Sequence, residues 1–94
     1  MRKENEGMIS VVKRDGEVVD FNLAKISDAI SKAFTATQKN YNDEIISLLS
    51  LRVTSDFQEK IKGETISAED IQDSVVQVLT QTGYTDVAKA YILY

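Results

Sequence analysis

The pattern of apolar residues changes near residue 22, from short Val- and Ile-rich segments to apolar residues that recur at every third or fourth position, and the chain contains no proline. Before that point, Val- and Ile-rich segments flank Asp15-Gly16, a dipeptide that favours a tight turn because Asp and Gly tolerate positive φ. The sequence therefore predicts paired strands over residues 9–14 and 17–21. Uninterrupted helices are expected to follow, since no proline breaks them.

A two-residue turn at Asp15-Gly16 also predicts which side chains share a face of the hairpin. It places Arg14 opposite Glu17 and Val11 opposite Asp20. Side chains alternate between the faces of a strand, so we expect one face to carry an apolar strip that ends in a lysine. That face would comprise Ile9, Val11, Lys13, Val18 and Asp20.

Two long helices are expected after the hairpin. The first begins at Asn22, a favourable N-cap residue, and ends near Thr37. The second begins at Asn42 or Asp43, because apolar residues recur from there at four-residue steps. It is expected to end at Gly63, since helices often end at a glycine. These residues are Ile45, Leu49, Val53, Phe57 and Ile61.

The rest of the sequence predicts a short third strand and two more helices. Thr65-Ile66 can add a third strand to the hairpin, and Ser67 is expected to cap a helix that ends at Gly83. Thr85 is expected to cap the last helix. The inward positions of that helix are predicted to be Val87, Ala88, Tyr91, Ile92 and Tyr94.

The length of 94 residues is enough for one domain with a small core. We expect residues 1–8, which are mostly polar and charged, to form a disordered arm and residues 9–94 to form the domain. The predicted fold class is α+β. No apolar run approaches the roughly 18 residues that cross a bilayer, and the start lacks the apolar core of a signal peptide, so the expected location is cytoplasmic, with no membrane partner.

Composition excludes several kinds of chemistry. The chain has no Cys and no His, which removes thiolate metal sites and the commonest general base. A formal charge of −4 disfavours sequence-independent nucleic-acid binding, which depends on a basic surface, so we expect no nucleic-acid partner. Basic residues nevertheless cluster locally, because Lys13, Arg14 and Lys25 fall within thirteen residues.

This cluster suggests an anion site, although neither of the common Gly-rich nucleotide motifs is present. The free N–H groups of the first helix, together with Lys13 and Lys25, would form a cradle for phosphates. Alternatively, both lysines lie along apolar neighbours and Arg14 only pairs with Glu17 across the strands. For Ser67, the pattern alone favours a plain helix cap.

Several segments resemble the ATP-cone family. The stretch Val11-Val12-Lys13-Arg14-Asp15-Gly16, followed by Phe21 and Lys25-Ile26, resembles the opening signature of these domains. Residues 66–73 are similar to the start of the family's third helix, and residues 86–94 are similar to its closing helix. The resemblance implies a lid of two or three short strands over a four-helix bundle, with a nucleotide between them.

The resemblance also implies nine binding residues. Val11 would make an apolar contact, Lys13 and Lys25 would hold phosphates, and Arg14 would support them. Near the start of the first helix, Asn22 and Ile26 would line the same pocket. The implied contacts to base and sugar come from the start of the third helix, namely Ser67, Ile71 and Gln72.

The function implied by the resemblance is allosteric regulation of a ribonucleotide reductase. ATP or dATP, with Mg²⁺, would be the effector, and ATP would permit and dATP suppress turnover. The partners would be the catalytic domain of the parent chain and a second cone in a homo-oligomer. The chain itself would be non-catalytic, and its ending resembles the anaerobic ribonucleoside-triphosphate reductases.

Two alternatives stay open at this point. Val76 stands where family members commonly carry Glu, and the basic residues that usually follow position 94 are not in the sequence, which leaves room for a degenerate cone that serves only oligomerisation. A repressor of reductase genes carries the same cone behind a zinc ribbon. Residues 1–8 contain no Cys for such a ribbon, so we expect the reductase to be the parent.

Overall fold

The computed structural model describes residues 9–93, and it confirms an α+β fold in which a small sheet accompanies four helices. The expected arm over residues 1–8 and the expected inward position of Tyr94 lie outside the described residues. The strands are β1 (Ser10–Val12), β2 (Val18–Asp20) and β3 (Thr65–Ser67), and the helices are α1 (Leu23–Ala36), α2 (Asp43–Phe57), α3 (Ala68–Gln81) and α4 (Thr85–Leu93).

The sheet has the strand order β2-β1-β3, so β1 lies at its centre. β1 pairs antiparallel with β2 and parallel with β3, which confirms the third strand. In the parallel pair Val11 lies beside Ile66, whose side chain is 3 % exposed and belongs to the core. The sheet therefore closes one end of the helical bundle rather than standing apart from it.

The hairpin turn is one residue longer than predicted. The N–H of Lys13 donates to the carbonyl of Glu17 (2.7 Å), and the N–H of Gly16 donates to the carbonyl of Lys13 (2.9 Å). The loop therefore consists of Arg14, Asp15 and Gly16, and only Gly16 within it has positive φ (92°). A two-residue turn would require positive φ at Asp15 as well, so the longer loop is less strained.

The longer loop shifts the register, so the predicted pairing was wrong by one residue. Val11 lies opposite Val19, not opposite Asp20, and Ser10 lies opposite Asp20. Lys13 consequently lies across from Glu17. Val18 and Asp20 belong to the opposite face from the one predicted, and Val18 is 59 % exposed. The face with Ile9, Val11 and Lys13 is completed by Glu17, Val19 and Phe21.

Three side chains cap the helices where the sequence predicts them. The Oδ1 atom of Asn22 accepts a hydrogen bond from the N–H of Ala24 (2.9 Å), and Oδ1 of Asn42 accepts from Ile45 (2.8 Å). The Oγ of Ser67 accepts from the N–H of Asp70 (3.0 Å). Each cap satisfies a backbone donor that has no partner within its own helix.

The predicted end of the second helix was wrong. α2 ends at Phe57 and continues as a 3-10 turn over Gln58–Lys60, after which Ile61 is extended. The backbone of Lys62 then exchanges hydrogen bonds with Thr65, which turns the chain towards β3. Pairing of β3 with β1 thus competes with the helix. Ile61 still packs against the core, but from an extended segment.

The core lies between the four helices and the sheet. α1 contacts α2 and α4, and α3 contacts the same two helices from the other side. Phe57 is fully buried and meets the edge of Phe21 at a ring-centroid distance of 5.5 Å, which ties the hairpin to the bundle. Within residues 9–93, no helix is long and apolar enough to span a membrane.

The end of α4 departs from its predicted orientation. Val87 and Ala88 are buried and Tyr91 is partly buried, as expected. Ile92, however, is 62 % exposed, and Leu93 is 85 % exposed. The prediction that Ile92 faces inward was therefore wrong, and the face of α4 that packs on the bundle carries Val87, Ala88 and Tyr91.

Candidate functional site

An open cleft with a volume of about 1630 Å³ lies between α1 and α3. The last turns of α4 form one side of it, and the hairpin loop reaches its rim. Its lining residues are Arg14, Lys25, Asp28, Ala29, Lys32, Lys60, Gln72, Asp73, Val76, Gln77, Thr80, Gln81, Tyr91 and Ile92.

The α1 wall of the cleft is a single helix face. Lys25, Asp28, Ala29 and Lys32 recur at spacings of three and four residues, so they point in one direction. The ammonium of Lys32 lies 3.4 Å from a carboxylate oxygen of Asp28. Lys25 occupies the first turn, where α1 has no acidic residue and the helix dipole favours an anion. This wall therefore presents one paired cation and one cation beside a helix N-terminus.

Arg14 reaches the cleft from the hairpin loop. Its Nε lies 3.1 Å from a carboxylate oxygen of Glu69, in the first turn of α3. Both side chains are well exposed, at 78 % and 63 %. The ion pair therefore links the sheet to α3 in high-dielectric surroundings, where such pairs contribute at most about 1 kcal/mol.

The opposite wall combines polar and apolar groups. α3 contributes the amides of Gln72 and Gln77 and the apolar side chain of Val76, and α4 contributes Tyr91. Burial raises the pKa of the Tyr91 phenol above its usual value of 10.0, because the anion loses solvation there. This side of the cleft can contact a flat, partly apolar group and still offer hydrogen bonds at its edges.

The charge of the cleft is opposite to that of the whole chain. Among the described residues, four basic side chains line it and only two acidic ones, Asp28 and Asp73. The chain as a whole has a formal charge of −4. Positive charge concentrated in a concave surface attracts a polyanion of small size, and the helix N-terminus beside Lys25 adds to this attraction.

Comparison with known proteins identifies the family. Residues 9–94 match the ATP cone domain family. The chain belongs to the ATP-cone family. The match extends over nearly all of the sequence.

Relatives of this ATP-cone are ribonucleotide reductases. The chain is 41 % identical over 99 residues to the alpha subunit of a ribonucleoside-diphosphate reductase from Chlamydia pneumoniae and 43 % identical over 89 residues to a vitamin B12-dependent ribonucleoside-diphosphate reductase from Thermoplasma acidophilum. These alignments cover 99 % and 89 % of the chain. An anaerobic ribonucleoside-triphosphate reductase from Haemophilus influenzae is 35 % identical over 85 residues, or 89 % of the chain.

The chain spans only about a tenth of the length of these relatives, namely 10 %, 11 % and 12 % of the three proteins. It therefore corresponds to a single domain of much larger enzymes. The identity with the anaerobic enzyme is lower than with the two diphosphate reductases, so the similarity does not favour the anaerobic class that the ending of the chain suggested.

The structure brings three of the nine expected binding residues into the cleft of this ATP-cone. Arg14, Lys25 and Gln72 line it. Ile26 and Ile71 are instead buried in the core, with 7 % and 9 % of their surfaces exposed. They support the starts of α1 and α3 from beneath and do not line the cleft.

The other four expected residues lie around the junction of the sheet and the helices. Asn22 and Ser67 cap α1 and α3, and Val11 lies on the central strand and packs against the core. The ammonium of Lys13 lies 3.5 Å from a carboxylate oxygen of Glu17. None of these four residues lines the cleft.

Sequence reasoning did not identify Lys32, Lys60 or Tyr91 as cleft residues. For Lys32 a signal was present, because it follows Lys25 by seven residues and so shares its helix face. Lys60 was missed as a cleft residue because the second helix was predicted to continue to Gly63, whereas α2 ends at Phe57. Within residues 9–93, no three His, Cys, Asp or Glu side chains come together as a metal site.

Proposed function

We propose that this ATP-cone binds ATP or dATP in the cleft between α1 and α3 and thereby regulates the activity of a parent ribonucleotide reductase. The observation that carries the proposal is the excess of basic side chains along the cleft in an otherwise acidic chain. A nucleoside triphosphate has several negative charges at one end and an aromatic base at the other. The basic side chains of the cleft match the phosphates, and its amide and apolar side chains match the base.

The triphosphate belongs at the end of the cleft nearest the sheet. Arg14 in the hairpin loop and Lys25 in the first turn of α1 both lie at this end, next to the N-terminus of α1. Arginine binds phosphate oxygens in pairs and lysine binds them as a point charge. Phosphates placed here therefore gain two cations and the helix dipole together.

The base and sugar belong along the α3 and α4 wall. Gln72 and Gln77 supply amide donors and acceptors, and Val76 and Tyr91 supply apolar surface for a ring. ATP and dATP differ only in the ribose 2′-hydroxyl, so a side chain that distinguishes them must lie near the sugar. Gln72, at the start of α3, is the side chain that we assign to this contact.

Mg²⁺ would accompany the triphosphate in this proposal. The cation prefers oxygen ligands and keeps several waters, so phosphate oxygens supply most of its coordination. Asp28 and Asp73 are the carboxylates of the cleft, and either one would contact the metal through a water. The protein's contribution is thus to place the phosphates and not to form a metal cage.

The regulatory step requires two states with different affinities for the effector. A nucleotide that bridges the hairpin loop and the starts of α1 and α3 would fix the position of the sheet relative to the bundle. The catalytic domain of the parent enzyme would sense that position, and its own state would alter nucleotide affinity by the same factor.

A calorimetric titration with ATP and with dATP, in the presence of Mg²⁺, tests this function. We expect binding to the wild-type chain and a loss of at least about tenfold in affinity for Lys25→Met. Lys89→Met is the matched control, because Lys89 is also an exposed helical lysine but does not line the cleft. Lys13→Met should have a smaller effect than Lys25→Met, since Lys13 must first release Glu17.

A second candidate function is self-association without nucleotide. Leu48 and Leu51 on α2 are each 59 % exposed and lie three residues apart, so they form an apolar patch on one helix face. Sedimentation of the chain with and without ATP separates the two functions. Self-association that is independent of nucleotide and abolished by Leu48→Gln would favour the second one.

A further inference from the structure

Lys60 occupies an unusual position at the edge of the cleft. It is the last residue of the 3-10 turn that follows α2, and its side chain is partly buried. Its ammonium donates to the Oγ of Ser74 at 3.0 Å and to the carbonyl oxygen of Asp70 at 3.4 Å. Both acceptors belong to α3, so the side chain crosses from the end of α2 to the neighbouring helix.

The acceptors of Lys60 leave part of its charge uncompensated. Ser74 is fully buried and neutral, and the Asp70 acceptor is a backbone carbonyl. Among residues 9–93, no carboxylate oxygen lies within 4.0 Å of the ammonium. A lysine has three N–H donors, and these two acceptors engage two of them. The third donor is available to a ligand in the cleft that Lys60 lines.

We infer that Lys60 is a phosphate-binding residue and that Ser74 is the positioning residue that holds it in place. The inference rests on the proposed function, because the phosphate is that of the nucleotide. Lys25 and Lys60 stand on different elements of the same cleft, one on α1 and the other at the end of α2. A phosphate between them would be bound by an ammonium on each side. The partly buried ammonium of Lys60 would then gain the negative partner that its neutral acceptors do not supply.

Ser74 makes this arrangement rigid. Its side chain has no exposed surface, so its hydroxyl cannot move aside without disturbing the core. The hydrogen bond fixes a side chain that would otherwise lose considerable rotamer freedom on binding a ligand. Prepositioning of this kind raises affinity because the ordering has already occurred.

Titrations with Mg²⁺-ATP and with inorganic tripolyphosphate test the inference on the wild-type chain, Lys60→Met and Lys62→Met. Lys62 is the matched control, because it lies two residues away and is exposed outside the cleft. We expect Lys60→Met to weaken the binding of both ligands at least about tenfold and Lys62→Met to change it less than about twofold. Ser74→Ala should give a smaller loss than Lys60→Met.

Thermal unfolding of the same variants separates a binding role from a structural one. When the ammonium is removed, the Ser74 hydroxyl can donate to the carbonyl of Asp70 one turn earlier in α3, so the midpoint of Lys60→Met should stay close to that of the wild type. A variant that is as stable as the wild type but binds more weakly supports the inference. A lower midpoint with unchanged affinity would overturn it, and so would equal affinities of Lys60→Met and Lys62→Met.

The two ligands distinguish failure of the inference from failure of the proposed function. If the wild type binds tripolyphosphate but not ATP, and Lys60→Met abolishes that binding, the nucleotide function fails and the phosphate role of Lys60 stands. If ATP binds and Lys60→Met has no effect, the function stands and the inference fails. Absence of binding for both ligands overturns both.

Discussion

The guanidinium of Arg14 lies 3.1 Å from the carboxylate of Glu69, although the two residues are 55 positions apart in the sequence. This ion pair joins the hairpin loop to the first turn of α3 at the rim of the cleft. In the proposed binding mode, a phosphate would contact the guanidinium that Glu69 engages. The carboxylate and the nucleotide would therefore compete for Arg14.

This competition predicts that Glu69→Gln binds ATP more tightly than the wild type. An exposed ion pair contributes at most about 1 kcal/mol, so the expected gain is between about twofold and fivefold. Glu44→Gln is the control, since Glu44 is also in the first turn of a helix but lies outside the cleft. Calorimetry at two salt concentrations measures the effect, and equal affinities of the two variants would contradict it.

Local signals were sufficient to predict much of the fold. Asp15-Gly16 predicted a hairpin, and the capping side chains of Asn22, Asn42 and Ser67 predicted three helix starts correctly. Each of these features depends on residues within four positions of one another. The register of the hairpin was missed because both a two-residue and a three-residue turn fit Asp15-Gly16. The two-residue turn would require positive φ at Asp15, and in the structure only Gly16 of the loop has it.

The cleft depended on contacts that a local pattern does not contain. Apolar residues continue at four-residue steps through Ile61, so the sequence favours a longer α2. α2 ends at Phe57 instead, and the 3-10 turn that follows it brings Lys60 beside Ser74. No periodic pattern in the sequence predicts the contact between Lys60 and Ser74. The basic cluster was therefore predicted at the hairpin and the first helix alone.

Gly16 is predicted to be essential for the shape of the hairpin loop. Its φ of 92° lies in a region that L-residues avoid, although a Cβ at this position would meet no atom within 4 Å. Gly16→Ala should therefore cost about 1–2 kcal/mol through backbone strain alone. Gly16→Asn should cost less, because Asn tolerates this region. Urea unfolding of both variants measures the difference, and equal losses would show that strain is not the cause.

The two asparagine caps are predicted to have equal effects on stability and unequal effects on binding. Asn22→Ala and Asn42→Ala each remove one cap hydrogen bond and should lower the free energy of unfolding by about 1 kcal/mol. Asn22 starts the helix that carries Lys25, whereas Asn42 starts α2. Only Asn22→Ala should therefore weaken ATP binding. If both caps affect affinity equally, the loss reflects general destabilisation and not the position of Lys25.

The raised pKa of Tyr91 predicts a loss of stability in alkaline solution. Burial favours the neutral phenol, so above pH 10 the unfolded chain releases this proton while the folded chain retains it. The folded state then binds more protons than the unfolded state, and the free energy of unfolding falls as the pH rises. Below the usual phenol pKa the contribution is constant.

Comparison of the wild type with Tyr91→Phe isolates this contribution, because the other alkaline titrations are common to both proteins. Urea unfolding between about pH 9 and about pH 11 should show a steeper loss of stability for the wild type than for the variant. Phenylalanine keeps the ring and its apolar contacts, so the two proteins should differ little at neutral pH. Parallel curves across the alkaline range would mean that the Tyr91 phenol is equally solvated in the folded and unfolded chains, and it would then not form a desolvated wall of the cleft.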